Sequence, residues 1–360
     1  MTLRAAGLAL AALVWAGCLP SSQRQNSREV SAADSVSALV ASRAPVDTLA
    51  VVWTAEAPAS DPMPLPTSLG WLTPSTSRFG DRLAVVETQE GSLRLFSEAG
   101  AYVGRTGLGG EGVFPYLAGS RGDSVVVLAR GRNELLWAVP GRGVVRREPA
   151  PAGATSALAT DSLLAVRLGG GATEAPAEIT LLDESGRVQS RHPVTGPAWR
   201  AAGFLREWGG RPVALSGYRP VVDVLDAGAA DGAPLDTLAL HGFGSPQLVR
   251  SAQFMRGEVD EPPLLTSSAA ALGDLLFVLN LRADHVRVDV YDRAGRLQRA
   301  LVSPGPWAPT DVVPLDVAVR PGPGGAVDLA VLLARPPGVL QGPASRVVLY
   351  RWSSASAVPA

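Results

Sequence analysis

The sequence predicts an all-β chain, a six-bladed β-propeller closed by an N-terminal strand and carried behind an export segment and tether. Three observations predict it. From Val46 onward, short apolar runs rich in β-branched residues recur, each bounded by Gly, Asp or Pro, and that is a strand signature. No window holds an i, i+3, i+4, i+7 stripe long enough for a substantial helix. The runs come in pairs that repeat along the chain. Many short strands with glycine turns leave a sandwich, a barrel or a propeller, and a repeat decides among them.

A chain of 360 residues, 46% of them hydrophobic, is large enough for a substantial core; at this size roughly 75% of the extended chain's surface can be buried. The 39 glycines and 30 prolines are spread out rather than clustered, so they mark turns and not a low-complexity tract. All 32 basic residues are arginine, and the net charge is −1. No basic face of the kind that binds a phosphate backbone is present in the sequence, so nucleic acid is not an expected partner.

The first eighteen residues come first in the chain and in specificity. Arg4 precedes an apolar run from Ala5 to Trp15, and Ala16 and Gly17 lead into Cys18, the one cysteine. Such a run is too short for a membrane-spanning helix, which needs about 20 residues, and fits a secretory signal ending in small residues. Val14-Trp15-Ala16-Gly17-Cys18 resembles a bacterial lipobox, with Trp15 where leucine is usual. The resemblance implies a signal peptide over residues 1–17 and lipidation at Cys18, which would explain an odd thiol in an exported protein. Leu19 after the cysteine implies the outer membrane of a two-membrane bacterium. Residues 18–44, rich in Ser, Gln, Ala and Arg, read as a flexible tether, with Val36, Leu39 and Val40 suited to one helical turn.

The remaining stretch, 45–360, reads as one propeller domain. Its first unit is Gly80-Asp81 into Leu83–Val86, then Leu93–Phe96. The second is Gly122-Asp123 into Val125–Leu128, then Leu135–Trp137. The third is Asp161 into Leu163–Val166, then Ile179–Leu182. The fourth is Gly209-Gly210 into Pro212–Leu215, then Val221–Leu225. The fifth is Gly273-Asp274 into Leu275–Val278, then Val286–Tyr291. The sixth is Gly324-Gly325 into Leu329–Leu332, then Val347–Tyr350. The 247 residues from Asp81 to Asp328 span five intervals of about 49, near the length of a propeller blade. The sixth unit ends without an outer strand. Asp47-Thr48-Leu49-Ala50 repeats the tetrapeptide Asp236-Thr237-Leu238-Ala239, so Asp47–Trp53 is expected to complete the last blade beside Arg346–Trp352 and cover its edge.

Phe96-Ser97-Glu98-Ala99-Gly100 and Tyr291-Asp292-Arg293-Ala294-Gly295 resemble the Phe-Asp-x-x-Gly turn of the six-bladed NHL-like and TolB-like propellers. The resemblance implies a fold and carries almost no activity with it.

Catalytic motifs are sparse. Gly107, Gly109 and Gly112 fit GxGxxG, but Val113-Phe114-Pro115 follows instead of a helix, which favours an inter-blade turn over a dinucleotide site. Arg121-Gly122-Asp123 is explained by the recurring Gly-Asp turn. His192, His241 and His285 lack metal-ligand spacing, and no GxSxG elbow occurs. Six-bladed lactonase-like enzymes, which this fold resembles, hold calcium in the channel. Glu87, Asn133 and Asn280 are the matching candidates here, and calcium prefers six to eight oxygens. Two insertions supply a candidate binding face: Trp199, Arg200, Arg206 and Trp208 in one, Glu258 and Asp260 in the other, because buried aromatics and arginines dominate binding energetics. The expectation is a membrane-anchored, monomeric binding or scaffolding propeller that presents a loop face to an envelope protein or a small ligand and needs no cofactor. The alternative is a calcium-dependent hydrolase of lactone-like esters.

Overall fold

The computed structural model describes residues 39–72, 81–169, 177–183, 185–226, 228–282, 284–304, 312–335 and 344–353. The expected signal segment, Cys18, most of the expected tether and Gly80 lie outside these residues.

Strands dominate. β1 (Val46–Thr48) and β2 (Ala50–Glu56) are followed by consecutive antiparallel meanders. The first is β3 (Pro66–Leu72), β4 (Arg82–Glu87), β5 (Ser92–Phe96) and β6 (Tyr102–Gly107). Next come β7 (Pro115–Arg121), β8 (Ser124–Ala129), β9 (Glu134–Val139) and β10 (Gly143–Pro149), then β11 (Ala154–Ala159), β12 (Leu164–Leu168), β13 (Glu178–Leu182) and β14 (Val188–Pro193). They continue with β15 (Gly203–Trp208), β16 (Arg211–Ser216), β17 (Val221–Val224) and β18 (Asp236–Ala239), and with β19 (Thr266–Leu272), β20 (Leu275–Asn280), β21 (Arg287–Tyr291) and β22 (Leu297–Val302). The last is β23 (Val313–Pro321), β24 (Val327–Ala334) and β25 (Arg346–Trp352). The meanders β7–β10 and β11–β14 form one eight-stranded sheet, joined by a single parallel pair between Ala159 and Gly119.

First strands pack cyclically: β3 against β7, then β11, β15, β19, β23 and back to β3. The chain is a β-propeller. Each neighbouring pair of meanders shares its own apolar cluster. β24 shows why the middle strands read as unbroken apolar runs. Leu329, Val331 and Leu333 face one neighbour, while Ala330 and Leu332 face the other, so both faces need apolar side chains.

The repeated units are the second and third strands of each meander. The Gly-Asp and Gly-Gly turns join first strand to second, with Gly122 at φ 54° and Gly273 at φ 56°, a left-handed geometry that glycine adopts without steric cost. The Asp-x-x-Gly turn joins third strand to fourth. Asp292 Oδ1 accepts the amides of Ala294 and Arg296 at 2.9 and 3.0 Å, and Asp183 does the same for Ser185 and Arg187 at 2.8 and 2.9 Å. The GxGxxG stretch is the link from β6 to β7, with Leu108 wholly buried beneath it.

The N-terminal segment divides between two sheets, which corrects the expected pairing of Asp47–Trp53. Ala50–Glu56 does pair antiparallel with β25, but Asp47 and Thr48 belong to β1, which runs parallel to β22. Leu49 lies between them, 0% exposed, in the cluster shared by both sheets. Asp47 accepts a hydrogen bond from Trp352 Nε1 at 2.9 Å. The chain crosses from one outer edge to the next because burying Leu49 there stabilises the step by about 1.5–3 kcal/mol. Residues 39–43 are helical, and Val40 and Ala44 pack on the cluster around Leu297. Among the described residues no helix is long and apolar enough to cross a membrane.

Candidate functional site

Polar side chains gather where the first strands surround the ring axis. Their placement comes from the backbone. β3, β11, β19 and β23 each carry a bulge near the start, and the next regular positions hold Ser68, Ser156, Ser268 and Asp316. A bulge re-aims the side chains beside it. β15 has no bulge and places Arg206 deeper along the strand.

Arg206 is the hub. Its Nη1 donates to Tyr116 Oη at 2.8 Å; its Nη2 donates to Ser268 Oγ at 2.9 Å and to Asp316 Oδ1 at 3.3 Å; its Nε donates to the Ala269 carbonyl. Ser268 donates to Asp316 Oδ1. Asp316 also accepts the amides of Leu69 and Val317, at 2.8 and 2.9 Å, and Ser68 Oγ accepts the Leu117 amide at 2.9 Å. These bonds stitch β15 to β19, β19 to β23, β23 to β3 and β3 to β7. Burial pushes the Asp316 carboxyl above its ordinary value, opposed by Arg206 and its donors. Burial also penalises the Arg206 charge, but Tyr116 and Asp316 outweigh it and raise its pKa.

Above the hub, the Arg130 guanidinium lies 5.9 Å from the Tyr116 ring centre. Its Nε donates to the Phe114 carbonyl at 3.3 Å. Phe114 is 42% exposed and sits at φ 46°, and Asn133 in the adjoining hairpin sits at φ 51°. Phenylalanine at positive φ is a true outlier, and such residues cluster at functional sites. Arg132 Nη2 holds the neighbouring glycine loop through the Gly109 carbonyl at 2.9 Å.

The residues picked from sequence scatter. Trp199 is buried, packed edge-on against Phe254 with ring centres 5.0 Å apart. Arg200 is buried and paired with Asp223 at 2.9 Å, and Trp208 is buried with its Nε1 on the Asp274 carbonyl at 3.0 Å. Trp208 reaches the neighbouring meander, Arg200 ties strands of its own, and none of the three forms an exposed rim, which corrects that expectation. Arg206 lies inside the ring. Glu258 is exposed and paired with Arg256, and Asp260 is exposed. Tyr116, Ser268 and Asp316 are not reached from sequence alone. A signal exists, since Thr67-Ser68, Thr155-Ser156 and Ser267-Ser268 occupy matching places in three first strands.

Of the calcium candidates, Glu87 and Asn280 lie buried at the ends of their second strands. Glu87 is wholly buried, and its oxygens accept the amides of Leu65, Gln89 and Glu90 at 3.2, 2.8 and 2.9 Å. Asn280 Nδ2 donates to Asp289 at 2.8 Å, and its Oδ1 has no hydrogen-bond partner among the described residues. Among the described residues no three His, Cys, Asp or Glu side chains are grouped to hold a metal. His192 is buried in a local contact with Ser190 and the Ala233 carbonyl.

No family model and no curated protein matches the sequence. Solved structures do match in fold. A catalytically inactive virginiamycin B lyase from Staphylococcus aureus with quinupristin aligns at TM-score 0.50 and 9% identity, over 84% of this chain and 99% of that one. A member of the duf4221 family from Bacteroides vulgatus aligns at 0.51 and 13%, over 84% and 96%. Regucalcin, a calcium-binding protein from Agrobacterium tumefaciens, aligns at 0.51 and 13%, over 85% and 95%. At these identities the likeness is one of fold alone.

Proposed function

We propose that this protein is a non-enzymatic binding or scaffolding propeller whose recognition face is the loop side carrying Phe114, Arg130 and Asn133. The observation that carries the reading is Phe114, an exposed aromatic held in a strained backbone at φ 46°. Holding such a residue costs of order 1–3 kcal/mol, and residues held in this way cluster at ligand clamps and binding sites. The hub below it supports the same reading, because its charged groups bond to one another.

The finer architecture belongs to this proposal: six four-stranded blades of the NHL-like and TolB-like group, with β2 as the outer strand of the last. The cyclic packing of the first strands and the turns at Asp292 and Gly295 support it. Export and lipidation at Cys18, with anchorage in an outer membrane, rest on the lipobox-like stretch before that cysteine. More than one acyl chain there would anchor the protein firmly.

The hydrolase reading remains the competitor, since the fold is shared with a lyase and a calcium-binding protein. Thermal unfolding of the purified chain with EDTA, calcium and a ligand panel separates the two. Under the proposal calcium and EDTA leave the midpoint in place, and Phe114→Ala weakens partner or ligand binding at least tenfold without lowering the midpoint. A calcium-dependent rise of several degrees, or ester turnover lost in Glu87→Gln, would overturn it.

A further inference from the structure

Arg167 on β12 is 0% exposed, and only one of its three guanidinium nitrogens is engaged, Nη1 donating to the Leu215 carbonyl at 3.0 Å. Its Nε and Nη2 have no hydrogen-bond partner among the described residues. Ser156 lies directly opposite on β11, 1% exposed, and its Oγ also has none. Residues paired across an antiparallel ladder project from the same face, so hydroxyl and guanidinium are aimed together into the seam between the β11–β14 and β15–β18 sheets. Apolar groups line that seam, including Leu158, Ala165, Ile179 and Leu205.

The local charges do not cancel. The nearby carboxylate is Asp223, and it is saturated: Arg200 Nη2 and Nη1 reach it at 2.9 and 3.2 Å, and Thr237 donates to it at 2.7 Å. Arg167, Arg200 and Asp223 therefore bury one more positive charge than negative. Burial lowers the Arg167 pKa to about 10, which leaves it charged at neutral pH. An uncompensated buried charge is costly, and a hydrogen-bonded counter-charge offsets that cost.

We propose that Arg167 Nε and Nη2, with the Ser156 hydroxyl, bind one small inorganic monoanion of the chloride class inside the seam. The ion accepts three donated hydrogens and neutralises the cluster. It acts as a structural part joining two neighbouring sheets, independent of the loop-face reading above.

The test is thermal unfolding of the full chain at constant ionic strength, with sodium chloride exchanged for sodium gluconate. Chloride at about 100 times its Kd is expected to raise the midpoint by about 5 °C, in a saturating manner. Arg167→Met, which keeps the stem and removes the charge, is expected to abolish the rise. Ser156→Ala loses one donor and moves the half-maximal chloride concentration up about tenfold, so it serves as the readout should Arg167→Met fail to fold. A wild-type midpoint indifferent to the anion overturns the proposal, as does an unchanged chloride response in either variant.

Discussion

Arg206 and Arg167 are two buried arginines with opposite circumstances. Arg206 spends every nitrogen on Tyr116, Ser268, Asp316 or a backbone carbonyl, and its pKa is held above the ordinary value. Arg167 engages one nitrogen, and its pKa falls to about 10. Both sit in seams of the same ring. The difference teaches that burial alone does not make an arginine a structural anchor; the supply of acceptors does. Around Arg206 the bulged first strands β19 and β23 bring acceptors to one point near the axis. On a second strand, squeezed between two apolar sheets, the backbone does not.

Four measurements would break or sharpen this contrast. The largest effect is expected from Asp316→Ala, which leaves Arg206 buried without its counter-charge and should cost about 3–5 kcal/mol in denaturant unfolding. A loss under about 1 kcal/mol would show that the hub is not an anchor. Ser268→Ala removes a donor to Asp316 and an acceptor for Arg206, and should cost about 1–3 kcal/mol. Arg167→Met, by contrast, is expected to cost less than about 1 kcal/mol at low chloride, because an apolar stem replaces a charge whose burial is poorly offset. Equal losses for Arg167→Met and Asp316→Ala would erase the distinction. Smallest of all is Val145→Ala on the outer strand β10, 55% exposed, expected within about 0.5 kcal/mol of wild type.

The hub also sets a pH dependence. The folded-state pKa of Asp316 is raised above 3.8, so the native state holds its proton more tightly than the unfolded state does. The stability from this group is fully present below 3.8 and is lost as pH rises through the folded value. Arg206→Met removes the opposing charge and should steepen that loss. Asp316→Asn should abolish it. Denaturant midpoints from pH 3 to 7 report the slope, and a parallel slope in all three proteins would place the titration elsewhere.

How far the fold is legible in the sequence differs between strands. The second and third strands, such as Leu275–Val278 and Val286–Tyr291, stand out because neighbours bury both of their faces. First strands are hard to see. β19 reads Thr-Ser-Ser-Ala-Ala-Ala-Leu, small and polar because it lines a crowded axis, and nothing local marks that as a strand. Fourth strands such as β10, with Arg146 and Arg147 exposed, look like loops. Of the candidate site, Arg206 is visible in sequence as part of an aromatic and basic insertion, yet the tryptophans and Arg200 of that insertion are buried in packing contacts. Trp199 and Trp208 are buried for the ordinary reason that large apolar rings stabilise packing.

Local chemistry sufficed for the strand-rich class, the repeat near 49 residues, the glycine and aspartate turns and the idea that an N-terminal strand closes the ring. Each of these depends on residues close together in the chain, where φ preferences and alternating burial are written directly. Only the tertiary structure decided that Leu49 divides the closing segment between two sheets, that Arg206 meets an aspartate 110 residues away, and that Arg167 is left short of acceptors. Those outcomes turn on which strands become neighbours around the ring. A buried charge is compensated or stranded by whatever the neighbouring strand brings within hydrogen-bond reach, and sequence spacing carries no record of that distance.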